Sequence, residues 1–240
     1  MQVGVELQFV ADNPNLTFIF FIALVLLAVL GARFSFYAYL NRQADDLATD
    51  ARLWDDLVAV GALAVGFALL GLLEIVTTLQ LPIKSSLLLA HVLVLAATMR
   101  RLYRSIVPSP ETGLAAYEST LTRAAVLAVA VVGLGLAFVG RHPFVVAVMG
   151  VSSVTFATAG ISVGHRGAAE NRVQGTVIDT LLRHLLPVLL FGALVPGVEL
   201  ATLVGLDRAV VLHVQVVFVI MTATTLMTAT IKLRQTLATL

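Results

Sequence analysis

Two acids and two histidines occur in very apolar surroundings, and their types and spacing could support proton or metal chemistry. Glu74 lies near the end of one apolar segment and His91 near the start of the next, and Glu199 and His213 repeat this order later in the chain. Carboxylates and imidazoles bind protons, relay them or coordinate metal ions. Ionisable side chains inside a bilayer are functional candidates by default. The four residues are therefore the predicted site.

The composition indicates that these residues are surrounded by membrane. Hydrophobic residues make up 59% of the 240, charged residues only 12%, and the mean hydropathy is +0.99. A soluble domain carries about a quarter charged residues. Several runs are long and uncharged enough to be membrane-spanning helices. The chain has no cysteine, which excludes disulfides and thiolate sites. The composition predicts an all-α, polytopic membrane protein.

Hydropathy predicts seven transmembrane helices in a single membrane domain covering residues 1–240. The predicted spans are residues 16–40, 57–81, 85–99, 124–140, 143–164, 185–204 and 209–231. Most basic residues then fall on one side of the bundle, namely Arg33, Arg42, Arg52, Arg100, Arg101, Arg104, Arg123, Arg166, Arg172, Arg183, Lys232 and Arg234. The other side holds Lys84, Arg141 and Arg208. The positive-inside rule places the N-terminus outside and the C-terminus in the cytoplasm of a multi-pass cell-membrane protein.

This topology places the two acids and two histidines at a common depth. At 1.5 Å per residue, all four lie about 7–11 Å below the outer edge. The recurrence also suggests a parallel repeat of residues 16–104 and 143–235, joined by the fourth span in a 3+1+3 arrangement. Transporters built from such repeats hold their sites at the repeat interface. We therefore expect one layer of Glu74, His91, Glu199 and His213.

Two prolines interrupt the sixth predicted span. Pro187 and Pro196 each remove a helical hydrogen bond ahead of Glu199. Irregular backbone inside a bilayer is tolerated against protein or a water-filled cavity. The sixth span is expected to be kinked and to face the interior of the bundle.

Secondary polar residues extend the predicted site toward the cytoplasm. Gln215, Thr222 and Thr225 in the last span could form a polar track leading away from the acid and histidine layer. Asp179 lies at the inner end of the sixth span, where an arginine four residues later can pair with it. His184 follows at the same interface.

Transport of a proton or small cation is the function that these residues predict. The two glutamates would titrate or coordinate, and the two histidines would relay protons. The sequence carries no nucleotide-binding loop, dinucleotide fingerprint or zinc-protease motif, so an enzyme is not favoured. Dispersed basic residues do not favour nucleic-acid binding. The partner expected for this protein is the lipid bilayer.

Three alternatives remain open at this point. His91 and His213 could be axial ligands of a b-type haem. All four residues could bind a divalent metal. The chain could also be a receptor or scaffold subunit that signals through a partner, in a homo-oligomer or a larger membrane complex. The seven-span topology resembles that of microbial rhodopsins, which attach retinal to a lysine midway along the last helix. Lys232 lies at the edge of that span, so retinal is not expected.

Overall fold

The computed structural model is a bundle of long helices, and it describes residues 13–44, 51–77, 83–106, 135, 142–169 and 177–238. The helices are α1 (Pro14–Ala44), α2 (Ala51–Val76), α3 (Ile83–Ile106), α4 (Pro143–Ala169), α5 (Val177–Glu199) and α6 (Arg208–Leu237). A short 3-10 segment, Leu200–Val204, follows α5.

Six of the described helices are long and apolar enough to cross a membrane, and the described ranges contain no strand. The all-α prediction with multiple membrane-spanning helices is confirmed to that extent. The fourth predicted span, 124–140, lies outside the described residues except for Gly135.

The helix boundaries follow local chemistry as well as hydropathy. Asn13 caps α1, because its side-chain oxygen accepts from the backbone N–H groups of Asn15 at 3.0 Å and Leu16 at 3.1 Å. Asp207 caps α6 by accepting from the N–H of Ala209 at 2.6 Å. These bonds satisfy backbone donors that have no partner inside the helix.

Several helices extend beyond the predicted spans at the charged end of the bundle. Ion pairs join them there: Arg42 contacts Asp55 at 2.7 Å, and Arg101 contacts Asp56 at 2.6 Å. Hydropathy marks only the part of a helix that lies in lipid, whereas backbone hydrogen bonding continues into the polar region. The third predicted span, 85–99, is therefore shorter than α3.

The six helices pack in a ring that follows the order of the chain. Each helix contacts the next, α6 returns to contact α1, and α3 also contacts α5. We call the end where α1, α3, α4 and α6 begin the amino end, and the opposite end the carboxyl end. The interior of the ring is filled with leucine, valine, alanine and phenylalanine side chains. Burial of these side chains stabilises the packing of the helices that position His91.

Neighbouring helices in the ring are antiparallel except at two places. Gly160 of α4 packs against Ala96 of α3, and Gly164 packs against Met99, so both pairs advance in the same direction. The helices α1 and α6 are also parallel, because following the direction of each helix from neighbour to neighbour around the ring gives α6 the direction of α1. The end of α3 and the start of α4 therefore lie at opposite ends of the bundle.

Among the contacts made at the described glycines, the one between α1 and α2 brings two helix backbones closest together. A Cβ atom on Gly61 would lie 2.3 Å from Ser35 Oγ and 2.7 Å from the carbonyl oxygen of Gly31. Ser35 Oγ also donates to the carbonyl oxygen of Val58 at 2.8 Å. Small residues and interhelical hydrogen bonds of this kind replace the hydrophobic effect between helices in lipid.

Candidate functional site

His91 lies inside the bundle, with only 1% of its surface exposed. Its ring nitrogen Nδ1 is 2.9 Å from the carbonyl oxygen of Val60 on α2. Because a carbonyl oxygen only accepts, Nδ1 must donate to it, and the neutral ring then carries its lone pair on Nε2. The contact thus fixes which nitrogen is open to further chemistry.

The second nitrogen of His91 is buried and has no hydrogen-bond partner among the described residues. It faces Gly192 of α5: a Cβ atom there would lie 3.5 Å from Nε2 and 3.5 Å from Cδ2. The same position is 4.0 Å from Cγ2 of Thr222 on α6. Buried polar atoms are nearly always satisfied, so an orphaned one in a membrane interior points to a function.

The helix that faces His91, α5, runs from Val177 to Glu199 with Pro187 and Pro196 inside it. Pro196 has no N–H group to donate to the carbonyl oxygen of Gly192. Side chains of neighbouring helices bind other carbonyls in this stretch: Gln215 Nε2 donates to Val195 at 2.9 Å and Ser153 Oγ to Ala193 at 3.2 Å. Two backbone carbonyls within three residues of Gly192 thus accept hydrogen bonds from neighbouring helices.

Glu74 lies apart from His91 and forms an ion pair with Lys84 instead. The pair joins the end of α2 to the start of α3, and 22% of the glutamate side chain and 15% of the lysine side chain are exposed. Lys84 precedes His91 by about two helical turns, or roughly 10 Å along α3. The glutamate thus closes the α2–α3 hairpin in the structure.

Glu199 and His213 also lie apart from His91. Glu199 is half-buried at the end of α5, and its backbone oxygen accepts from Thr202 Oγ1 at 2.7 Å. His213 is exposed, and its Nδ1 lies 2.6 Å from the carbonyl oxygen of Ala209, one turn earlier in its own helix. Its ring therefore lies against its own helix and not against His91.

The described residues do not assemble the four-residue layer that the sequence analysis expects. No group of three or more His, Asp or Glu side chains in the described ranges could share a metal ion. Residue spacing gives the depth of a side chain, but the rotation of its helix decides which way it points. A haem between His91 and His213 does not fit this arrangement, because one ring is buried and the other is exposed.

The polar residues predicted to extend the site toward the cytoplasm make different kinds of contact. Gln215 bridges α6 to α5, and Thr222 is buried beside Gly192. Thr225 donates to backbone carbonyls of its own helix, as do most hydroxyls of α6. Asp179 forms an ion pair with the arginine four residues later at 2.6 Å, as predicted from the spacing. His184 Nδ1 lies 2.7 Å from the carbonyl oxygen of Thr180.

Sequence reasoning missed three partners in these contacts: Val60, Gly192 and Lys84. A backbone carbonyl and a glycine leave no signature of their own in an apolar segment. Lys84 did have a signal, since an isolated lysine near a membrane edge, ten positions after an acid, can pair across a short connection.

No protein-family model, curated protein or solved structure matches the chain. The function must therefore be inferred from the geometry of His91 and its neighbours.

Proposed function

We propose that the protein moves protons across its membrane and that His91 is the residue that carries them. The observation behind this proposal is the buried Nε2 atom, which faces Gly192 and has no hydrogen-bond partner in the described part of the chain. Imidazole exchanges protons near neutral pH more readily than any other unperturbed side chain. An unpartnered lone pair inside the bundle is a place for such a proton to bind.

The surroundings of Nε2 favour a proton over a metal cation. Hard cations need several oxygen ligands at once, whereas no group of three or more His, Asp or Glu side chains in the described ranges could hold a metal ion. The carbonyl oxygen of Gly192 lacks the donor that Pro196 would otherwise supply. A water molecule or hydronium ion could donate to both acceptors.

Polar groups toward both ends of the bundle would extend the path of a proton beyond His91. Toward the amino end, Gln215 binds the carbonyl oxygen of Val195 on α5, and half-buried Glu199 follows about one turn later. Toward the carboxyl end, Thr222 and Thr225 carry hydroxyls along α6. In this proposal Glu199 admits protons from the amino side.

The proposal includes the topology. A seventh span over residues 124–140 is supported by the parallel packing of α3 and α4, because the connection must return to the amino end. An external amino end is supported by the basic residues at the carboxyl end. Parallel contacts at both α3–α4 and α6–α1 are also what a twofold repeat of residues 16–104 and 143–235 would produce.

Proton flux into proteoliposomes tests the proposal. The purified protein is reconstituted with a trapped pH-sensitive dye, and an imposed pH gradient should collapse faster than in empty vesicles. His91→Gln should reduce the protein-dependent rate to the background rate. His213→Gln is the matched control, because it makes the same change at an exposed ring, and it should retain most of the flux.

Two outcomes would overturn the proposal. Wild-type protein that dissipates no pH gradient would exclude proton movement and favour the receptor or scaffold alternative. Equal flux in wild type and His91→Gln would exclude His91 as the carrier.

A further inference from the structure

A cavity of about 380 Å³ opens between α1 and α6 near the carboxyl end of the bundle. Its apolar wall includes Leu30, Met227 and Ile231, and the last two are large side chains exposed on the outer surface of the bundle. The cavity therefore opens toward the lipid that surrounds α1 and α6 and is separate from His91.

Two arginines line the cavity, Arg33 on α1 and Arg234 on α6. Its lining contains no acidic residue, and within the described ranges neither guanidinium forms a hydrogen bond or ion pair. Arg33 lies about 16 Å before the end of α1, where its side chain must extend toward the membrane interface to reach a polar environment. A cation at this depth is costly unless an anion accompanies it.

The cavity changes in character along the helix axis. Leu30 and Met227 lie toward the middle of the bundle, and Arg234 and Gln235 lie toward its end. Tyr37 lies between them and is half-buried. Arg33 follows Leu30 by about one helical turn, so the basic part of the cavity begins there and continues to Arg234. An apolar part nearer the middle of the bundle and a basic part nearer its end match the order of acyl chain and phosphate in a phospholipid leaflet.

We propose that this cavity binds the headgroup of an anionic phospholipid. Arg33 and Arg234 contact the phosphate, since guanidinium groups pair with phosphate oxygens through two parallel hydrogen bonds. The first acyl carbons lie along Leu30, Met227 and Ile231. The volume accommodates a headgroup but not the acyl chains, which remain in the bilayer. A bound lipid would hold the two parallel helices together where the ring closes.

Native mass spectrometry of the detergent-solubilised protein tests the proposal. Protein incubated with a mixture of phosphatidylglycerol and phosphatidylcholine should retain phosphatidylglycerol selectively. Replacing both arginines with glutamine should weaken this binding about 30-fold. The matched control is Arg52→Gln with Arg166→Gln, which removes two exposed charges outside the cavity and should leave the selectivity unchanged. Inorganic phosphate at millimolar concentration should not displace the lipid.

Four results would overturn the proposal. Equal retention of both lipids would show that the cavity does not select a negative headgroup. Equal loss of binding in the cavity variant and the control variant would show that only net charge matters. Displacement by inorganic phosphate would identify a free-anion site and not a lipid site. If the double variant does not fold, Arg33→Gln and Arg234→Gln are tested singly, and each should weaken binding about fivefold. Unchanged binding in both would equally overturn the proposal.

Discussion

His91 on α3 faces Gly192 on α5, where a Cβ atom would lie 3.5 Å from the buried Nε2 of the imidazole. Any larger residue at 192 would therefore place its side chain directly against this nitrogen. The proline four positions later prevents the helix from donating to the glycine carbonyl. The unpartnered Nε2 atom of His91 therefore lies beside a helix turn that lacks one backbone donor.

Gly192→Ala should block the proposed proton path without disturbing the fold. The new Cβ would lie 3.5 Å from Nε2, which is an ordinary van der Waals distance, so the helices need not move. The methyl group would exclude water from the lone pair, and proton flux should fall about tenfold or more. Gly197→Ala, on the same helix but away from His91, is the control. Equal flux in the two variants would contradict the role of Gly192.

Gly61→Ala should destabilise the bundle by separating α1 from α2. The added methyl would lie 2.7 Å from the carbonyl oxygen of Gly31 and 2.9 Å from the backbone nitrogen of Ser35. Backbone atoms cannot move aside as a side chain can, so we expect a loss of about 1–3 kcal/mol. Gly66→Ala is the control, because its Cβ would meet only Leu87 Cδ1, at 3.1 Å. The stability of both variants is measured as the midpoint of unfolding in a denaturing detergent. Similar midpoints for the two variants would contradict the close approach of α1 and α2.

The Glu74–Lys84 ion pair should behave as a structural contact. Glu74→Gln leaves a largely buried ammonium without its carboxylate and should cost about 3 kcal/mol of stability. The exchanged variant Glu74→Lys with Lys84→Glu restores the opposite charges and should recover much of the loss. A double-mutant cycle in the unfolding assay gives the coupling energy. A coupling near zero would show that the pair contributes nothing to the α2–α3 hairpin.

Cysteine labelling should establish the orientation of the helices. The sequence contains no cysteine, so single substitutions have no background. Leu206→Cys, between α5 and α6, should react with an impermeant thiol reagent added to intact cells. Ala44→Cys, at the end of α1, should react only after the cells are opened. The reverse pattern would place the basic end outside and contradict the positive-inside interpretation.

The sequence predicts the helices well because their signal is local. Runs of apolar residues identify each described span, and Asn13 and Asp207 mark helix starts by a side-chain chemistry that needs no tertiary contact. The boundaries at the charged end are less predictable, since α3 continues to Ile106 past the arginines. Nothing in hydropathy distinguishes a helix that ends at the membrane from one that continues.

The site was harder to predict because its geometry depends on helix rotation. Glu74, His91, Glu199 and His213 were found by residue type, but only His91 lies in the core with an unpartnered ring nitrogen in the described part of the structure. His213 lies in the second turn of α6 and is exposed. Very apolar helices have weak amphipathicity, so their sequences do not indicate an inward face. Contacts between helices decide it.

The ring closes between the first and last described helices, and this has consequences for how the protein is made. The side-chain amide of Asn41 on α1 donates to the carbonyl oxygen of Leu233 on α6 at 3.0 Å, a contact between residues 192 positions apart. During synthesis α1 enters the membrane long before α6 is translated. Until then the amide has only the carbonyl of Tyr37 in its own helix as a partner. An incomplete chain would leave this amide without its partner on α6 at the charged end of the bundle, where membrane quality-control proteases could recognise it.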